Sequence, residues 1–169
     1  KYGTKEEYIE AVEEFRKNGM EVLTDIVLNH MMGADGTETV TVEEQANDNR
    51  NYDISGKQQV QAWTKFTFPG RSNHYSDYKW SAANFTGTDW DEGTKRKGIF
   101  TFEGKEWDPD TDREYGNYDY LMGADLDLDY PPTVQAVTDW GKWYYDLLHM
   151  DGFRLDAVKH INFSFYKKW

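Results

Sequence analysis

The chain has 169 residues, with 31 acidic and 19 basic side chains and a net charge of −12. This balance argues against a nucleic-acid-binding protein, which presents a basic face, and no apolar run is long enough to span a bilayer. Without cysteine there is no disulfide framework or thiolate chemistry, while an aromatic content of 17% favours a folded core over a disordered acidic chain.

The first predicted element is a helix that begins after Thr4, because Thr4 and Glu7 have the spacing of a capping box. The helix is expected to bury an apolar stripe at helical spacing, formed by Tyr8, Val12 and Phe15. Gly19 is a natural stop signal. The apolar strand Val22–Leu28 is predicted to follow, which gives an α–β unit.

The pattern changes over residues 31–130, where helical periodicity is replaced by short alternating segments rich in Gly, Asn, Asp and aromatic residues. Three of these segments are predicted to be antiparallel strands: Val40–Val42, Ala62–Phe68 and Ile99–Phe102. A hundred residues without a long helix are far more than an ordinary loop. Residues 31–130 are therefore predicted to be a small inserted domain.

A second helix is predicted from Pro131 to Met150, because proline is tolerated in a first helical turn. Its apolar residues recur at helical spacing: Val134, Val137, Trp140, Tyr144 and Leu147. The strand Phe153–Val158 is predicted next, and Phe163–Trp169 is expected to begin a further helix.

Two strand segments carry charged and polar residues at their ends. In DGFRLDAVKH, Arg154 and Asp156 are two positions apart and should share one face of the strand. In EVLTDIVLNH, a strand with Asp25 inside it ends in Asn29 and His30. On its own, the Arg–Asp pair could be an internal bridge in a packed core, although burying such a pair is costly unless both charges are satisfied.

Taken together, Asp25-x-x-x-Asn29-His30 and Gly152-Phe153-Arg154-Leu155-Asp156-x-x-Lys159-His160 resemble, in order, the first two signatures of the α-amylase family of retaining glycoside hydrolases. The long acidic insert between them is most similar to that of bacterial liquefying-type α-amylases. The resemblance covers nearly the whole chain.

The resemblance implies an α/β fold, namely a partial (β/α)8 TIM barrel with about two of its eight strands, interrupted by a β-rich inserted domain. The barrel portions would be residues 1–30 and 131–169, and the inserted calcium-binding domain residues 31–130. A complete barrel takes roughly 250 residues. The chain is therefore expected to be a fragment of a larger enzyme.

The resemblance also assigns roles to residues of the two motifs. Asp156 would be the nucleophile, and Arg154 would keep it ionised and orient it by bidentate pairing. His30 and His160 would hydrogen-bond sugar hydroxyls, and Lys159 would contact the aglycone side. Asp25 is expected to support the strand and its neighbours rather than to react.

A retaining glycosidase also needs a carboxylic acid that protonates the leaving oxygen. In this family that acid is a Glu on a later strand, and no segment of residues 1–169 resembles its motif. The polypeptide 1–169 alone is therefore expected to lack hydrolytic activity.

The acidic segment 117–129 gives a partly independent indication of a metal site. Alternation would place Asp125, Asp127 and Asp129 on one face of an extended segment, where like charges repel unless a cation neutralises them. Calcium prefers carboxylate, amide, carbonyl and water oxygens. A solvated acidic edge is the alternative interpretation, and the spacing is not that of an EF-hand.

The resemblance assigns the main calcium ligands as Asn29, Asp119, Asp125 and the backbone carbonyl of His160. Asp108 and Asp127 match ligands of an adjacent cluster of further calcium or sodium ions. Thr86 stands where this subgroup often has a bridging Asp, and a hydroxyl brings no negative charge. The secondary ions are thus less expected than the main calcium, whose role would be structural.

The leading hypothesis is a fragment of an enzyme that cleaves α-1,4 bonds inside starch and related glucans. The alternatives are a related α-glucan hydrolase or transglycosidase, a non-catalytic calcium- or carbohydrate-binding module, and an acidic structural module. A binding module would not explain an Arg–Asp pair within a strand. The expected partners are starch and maltooligosaccharides rather than nucleic acid or membrane, and the resemblance implies a monomeric, secreted bacterial parent.

Overall fold

The computed structural model describes residues 2–169. Eight strands occur in this described part: β1 (Leu23–Ile26), β2 (His30–Met31), β3 (Gly36–Gln45), β4 (Gln58–Lys65), β5 (Phe85–Asp91), β6 (Arg96–Phe102), β7 (Ala124–Leu126) and β8 (Gly152–Leu155). The α-helices are α1 (Lys5–Lys17), α2 (Pro131–Leu148) and α3 (Phe163–Lys168). Among these residues, none of the helices is both long and apolar enough to traverse a lipid bilayer.

Helix α1 begins as predicted. The Glu7 amide donates to Thr4 Oγ1 at 3.2 Å, and the Thr4 amide donates to Glu7 Oε2 at 2.7 Å, so both halves of the capping box are present. The chain leaves the helix through Asn18 and Gly19, and Gly19 has a φ of 76°. Glycine adopts this left-handed conformation without steric cost.

The predicted apolar stripe of α1 is only partly buried. Val12 packs with Leu148 and Met150 in a small apolar cluster. Tyr8 and Phe15, one turn to either side, remain largely exposed. The stripe prediction was wrong for these two residues, which do not belong to the buried cluster around Val12.

Strands β1 and β8 form a separate parallel pair, in which Leu23 lies opposite Gly152 and Ile26 opposite Leu155. Both strands are shorter than predicted: Val22–Leu28 contracts to Leu23–Ile26, and Phe153–Val158 contracts to Gly152–Leu155. The ladder ends where the Asp156 amide donates to the Ile26 carbonyl at 2.9 Å.

The polypeptide turns immediately after β8. Ala157 has a φ of 53°, and the 3₁₀ turn Val158–His160 follows it. Apolar composition alone could not distinguish this turn from two more strand residues.

The other six strands form one antiparallel sheet in the order β2-β7-β5-β6-β3-β4. The three predicted segments do contain strands, although Ala62–Phe68 runs past the end of β4 at Lys65. Strands β5 and β7 were not predicted. They lie inside the sheet and are buried over most of their length, so they lack the alternating pattern of a half-exposed strand.

One apolar core joins this sheet to the parallel pair and the last helix. Ile26 and Leu28 belong to the same buried cluster as Phe85 and Phe100 of the sheet and Phe165 of α3. Burying one such side chain contributes about 1.5–3 kcal/mol. The sheet is therefore packed on the ends of β1 and β8, where the polar motif residues are found.

Helix α2 begins at Pro131 as predicted and ends at Leu148, two residues before the predicted end. His149 terminates it in a left-handed conformation with a φ of 46°. Helix α3 begins after Asn162, whose Oδ1 accepts a hydrogen bond from the Ser164 amide at 2.8 Å.

Candidate functional site

Arg154 lies between two carboxylates at the end of the parallel strand pair. Its Nη1 is 2.9 Å from Asp25 Oδ1 and 2.5 Å from Asp156 Oδ1. Arg154 and Asp156 thus share a face, as alternation predicted. The bidentate pairing of Arg154 with Asp156 is absent, because a single guanidinium nitrogen bridges both acids. The hydrogen bonds that Arg154 donates to Asp25 and then to Asp156 raise the pKa of its guanidinium.

The alternative of a bridge sealed in a packed core was wrong. The Arg154 side chain is 58% exposed and that of Asp156 is 25% exposed. Exposed ion pairs add little to stability, because water screens the charges. The contact therefore contributes little to the stability of the fold.

His30 lies close to this group at the start of β2. Burial lowers the pKa of its imidazole, and the nearby Asp156 charge opposes that shift. Its Nδ1 is 3.3 Å from Asn29 Oδ1. The ends of the two motif strands therefore lie side by side.

His160 and Lys159 occupy the 3₁₀ turn after β8 and are held by residues of the 31–130 segment. His160 Nδ1 is 2.6 Å from the Tyr118 carbonyl oxygen, and the two rings meet edge to face with centroids 4.2 Å apart. A carbonyl can only accept, so Nδ1 carries the proton and Nε2 of the neutral ring is an acceptor. Burial lowers the pKa of His160 and favours this neutral form.

Lys159 is exposed and has two partners in the same segment. Its Nζ is 2.6 Å from Glu114 Oε2 and 4.6 Å from the centre of the Tyr118 ring. Sequence reasoning did not identify Tyr118 or Glu114 as parts of the site. These contacts join residues more than forty positions apart, and neither residue lies in a motif, so no local signal could have found them.

Asn29 brings together the positions that the sequence assigned to the main calcium. Its Nδ2 lies 3.2 Å from the Asp119 carbonyl oxygen, 3.2 Å from Asp125 Oδ1 and 3.4 Å from the His160 carbonyl oxygen. Asn29, Asp119 and Asp125 are all buried. The other carboxylate oxygen of Asp125, Oδ2, is buried without a hydrogen-bond partner.

The two buried carboxylates are electrostatically strained. Burial raises the pKa of Asp119 to about 8 and that of Asp125 well above its ordinary value. The nearby charges of Asp108 and Asp127 raise both pKa values further. Burial also raises the pKa of Asp108. Isolated charges in such a position are costly unless a cation or hydrogen bonds compensate them.

The donor set fits calcium in its chemistry. Asp119, Asp125 and the His160 carbonyl offer oxygen, which is what Ca²⁺ prefers, and Asp125 Oδ2 is unpaired. Asn29 points its Nδ2 at these oxygens and would have to present Oδ1 instead to bind a cation. Within residues 2–169, no three His, Cys, Asp or Glu side chains form a metal-binding group. The assigned main set does not require one, since it consists of two carboxylates, an amide and a backbone carbonyl.

A small cavity of about 10 Å³ adjoins this set. Residues of three loops and of β5 and β7 line it: Asn29, Thr86, Glu106, Asp108, Asp119, Leu126, Asp127, Leu128 and Asp129. The lining thus includes Asp108, Asp127 and Thr86, the positions considered for secondary cations.

The structure already gives Asp108 and Asp127 protein partners. Asp127 forms an ion pair with Lys105, and Asp108 Oδ1 accepts from Asn162 Nδ2 at 2.9 Å.

The prediction of one extended acidic face was wrong, because β7 ends at Leu126. Asp127 then caps a turn, accepting from the backbone amides of Asp129 at 3.0 Å and Tyr130 at 2.9 Å.

Comparison with known proteins places these motifs in a family. The model of the α-amylase catalytic domain matches residues 1–168 of the chain. The chain belongs to the α-amylase family. The catalytic domain of this family is a TIM barrel, whereas the residues described here form mostly antiparallel sheet.

Individual α-amylases are similar along the whole chain. It is 53% identical to an α-amylase of Geobacillus stearothermophilus and 50% identical to one of Bacillus licheniformis. It is 46% identical to a glucan 1,4-α-maltohexaosidase of Bacillus sp. (strain 707). Each match covers 100% of this chain but 31%, 33% and 33% of the respective relative. The chain thus spans about a third of the length of the curated relatives it matches.

Proposed function

We propose that this chain is the part of an α-amylase that supplies the nucleophile for endo-hydrolysis of α-1,4-glucosidic bonds with retention of configuration. The observation that supports this most directly is the position of Asp156, half-buried at the end of β8, bridged to Asp25 through Arg154 and adjacent to His30. Family membership favours this function over a non-catalytic binding module.

In the proposed reaction, Asp156 attacks the anomeric carbon as the bond to the leaving oxygen breaks, which forms a glycosyl-enzyme ester. Water then hydrolyses this ester and releases the sugar with its configuration retained. Arg154 orients the carboxylate through the hydrogen bond that its Nη1 donates to Asp156 Oδ1. His160, neutral with Nε2 as the acceptor, binds a sugar hydroxyl that donates, and His30 binds another hydroxyl. Lys159 contacts the aglycone side.

The acid that protonates the leaving oxygen must lie about 5–5.5 Å from the nucleophile. We propose that a Glu outside residues 1–169 supplies it. Polypeptide 1–169 alone should then hydrolyse no glucan, even if it folds.

The finer architecture is part of the same proposal. Strands β1 and β8 would be neighbouring strands of the (β/α)8 barrel, with residues 1–30 and 131–169 as barrel portions. Residues 31–130 would be a domain inserted after the first of these strands. The parallel register of β1 and β8, and the packing of the antiparallel sheet over the ends of these strands, support this division.

Calcium is proposed as a structural ion held by Asn29, Asp119, Asp125 and the His160 carbonyl. When bound, it would neutralise two buried carboxylates and link the insert to the turn that carries His160. The unpaired Asp125 Oδ2 supports this assignment. Further ions at Asp108 and Asp127 have less support, because Lys105 already pairs with Asp127 and residue 86 is a threonine.

The proposed substrate class is starch and related maltooligosaccharides, and the proposed protein is a secreted monomer. Similarity to α-amylases supports the substrate, while secretion and monomeric state rest on the family resemblance alone.

The test compares Asp156→Asn with Asp146→Asn in the full-length protein that contains this chain. Asp146 is an exposed acid on α2, so the control removes the same charge away from the site. We expect Asp156→Asn to lose starch hydrolysis and Asp146→Asn to keep it. The unmodified protein should release α-configured products. Full activity of Asp156→Asn, or inverted products, would contradict the proposal.

A further inference from the structure

Arg50, in the loop between β3 and β4, is buried among aromatic rings. Its guanidinium carbon lies 4.5 Å from the centre of the Tyr118 ring, 5.3 Å from that of Tyr115 and 5.8 Å from that of Tyr120. Nη1 donates to the Tyr120 carbonyl, and the Arg50 amide donates to the Tyr115 carbonyl at 2.8 Å. Arg50 thus contacts both ends of the 115–120 segment.

Stability alone is a poor explanation for this arginine. The residue is only 8% exposed, its Nε has no hydrogen-bond partner, and no carboxylate among the described residues forms an ion pair with it. Leaving a buried donor unpaired costs about 1–3 kcal/mol.

Tyr118 connects Arg50 to two residues of the proposed substrate site. The Arg50 guanidinium lies over the Tyr118 ring, the Tyr118 and His160 rings meet edge to face, and Lys159 Nζ lies 4.6 Å from the Tyr118 ring centre. The Tyr118 carbonyl also fixes His160 Nδ1 at 2.6 Å. A displacement of Tyr118 would therefore alter the placement of both side chains.

We propose that Arg50 is a positioning residue that orients His160 and Lys159 for substrate binding by fixing Tyr118. The proposal rests on the proposed function, since it gives these two residues a glucan to bind. Arg50 touches no substrate and acts only through the tyrosine. Its planar guanidinium suits this task, because it can face aromatic rings and donate to a carbonyl at the same time.

The chain contains a close structural match for a control. Arg71 lies 4.2 Å from the centre of the Phe68 ring, donates from Nη2 to the Tyr78 carbonyl at 2.6 Å, and also has a buried unpaired Nε. It contacts neither Lys159 nor His160. Arg71→Met therefore removes the same kinds of interaction near the same sheet. It leaves intact the contacts of Tyr118 with Arg50, Lys159 and His160.

The experiment measures kcat and KM for maltooligosaccharides, and the dissociation constant of a non-hydrolysable maltooligosaccharide analogue, in the full-length protein. Arg50→Met should lower kcat/KM about tenfold to 100-fold, because small misplacements of binding groups have effects of this size. The analogue should bind more weakly by a similar factor. Arg71→Met should change the thermal stability, but its kcat/KM should stay within about twofold of that of the parent.

Two further variants separate positioning from a general loss of stability. Tyr118→Leu removes the ring that contacts Arg50 and should reproduce the Arg50→Met defect. Combining Tyr118→Leu with Arg50→Met should add little further loss, because both act through one relay. Arg50→Lys keeps the charge near the rings and should restore part of the binding.

The outcomes distinguish the two proposals. An unmodified protein without α-glucan hydrolysis would overturn the proposed function. An active protein in which Arg50→Met and Arg71→Met have equal kinetic effects, or in which the Arg50 and Tyr118 defects simply add, would overturn the positioning role. If Arg50→Met does not fold, Arg50→Lys and Tyr118→Leu decide the question by the same kinetic measurements.

Discussion

Asp25 and Arg154 lie directly opposite each other in the parallel register of β1 and β8, and the Arg154 Nη1 is 2.9 Å from Asp25 Oδ1. The same nitrogen reaches Asp156, so the acid in the first motif is linked through one guanidinium to the acid in the second. Asp25 therefore supports the site by a direct contact with Arg154.

The first prediction concerns this bridge. Arg154→Met should reduce kcat of the full-length protein by about 100-fold or more, because it removes the cation that orients the nucleophile and leaves two carboxylates facing each other. Arg154→Lys should be intermediate, since it keeps the charge but loses the planar fork. Steady-state starch hydrolysis provides the measurement.

Asp25→Asn is the companion variant. It should reduce kcat by less than about tenfold, because Arg154 retains its contact with Asp156. A loss as large as that of Arg154→Met would mean that Asp25 itself takes part in the chemistry.

The second prediction concerns calcium. Chelation should make the segments that join the proposed insert, residues 31–130, to the proposed barrel portions more sensitive to protease. Added calcium should protect these segments. At a calcium concentration 100 times the dissociation constant, binding would stabilise the protein by about 2.7 kcal/mol. Asp125→Asn should abolish the difference between chelated and calcium-loaded protein in limited proteolysis.

Asp91→Asn is the matched control for that experiment. Asp91 is as buried as the ligand acids, and its Oδ1 accepts from the Gln61 amide at 2.9 Å and the Gly93 amide at 3.0 Å, away from the metal site. This variant should be less stable but should still respond to calcium. A protein whose protease resistance is the same with and without chelator would argue against a structural calcium.

The third prediction is a pH dependence at Asp151. Its Oδ2 accepts from the Val22 amide at 2.8 Å and from Arg16 Nε at 3.2 Å. The Val22 hydrogen bond, followed by that of Arg16, lowers the pKa of Asp151. A lowered pKa stabilises the fold above the ordinary Asp value of about 3.9, and this contribution is lost as the pH falls through the lowered value.

Asp151→Ala should therefore be less stable than the parent at pH 7, and the gap should narrow below about pH 4. Urea unfolding midpoints at several pH values measure it. Asp146→Ala, which removes an exposed acid without these partners, should show no such narrowing. A gap that is constant with pH would mean that the Asp151 charge does not contribute.

The fourth prediction tests the helix start. Thr4→Ala should destabilise the protein by about 1 kcal/mol, because the Glu7 amide loses its side-chain acceptor. Thr4→Ser keeps the acceptor and should be close to the parent in urea unfolding. Equal stability of Thr4→Ala and the parent would show that the cap is not needed in the folded protein.

Local signals predicted the elements whose cause is local. The start of α1 follows from Thr4 and Glu7, and the start of α2 from its proline pair, since caps and fixed dihedrals act within one turn. The same reasoning placed strands β1 and β8 but overestimated their lengths. Beyond the strand ends, Leu28 is buried in the core, whereas Val27 and Val158 are exposed. After β8 the chain turns at Ala157, which has a positive φ.

By itself, the sequence determined the family, the two motif strands and the residues at their ends, because these depend on residue types at fixed spacing. Only the tertiary structure decided which atoms meet: Arg154 with two acids, Asn29 with three oxygens, and Tyr118 with Arg50, Lys159 and His160. Such contacts join residues many positions apart. They are set by how the sheet packs over the strand ends, which no local pattern encodes.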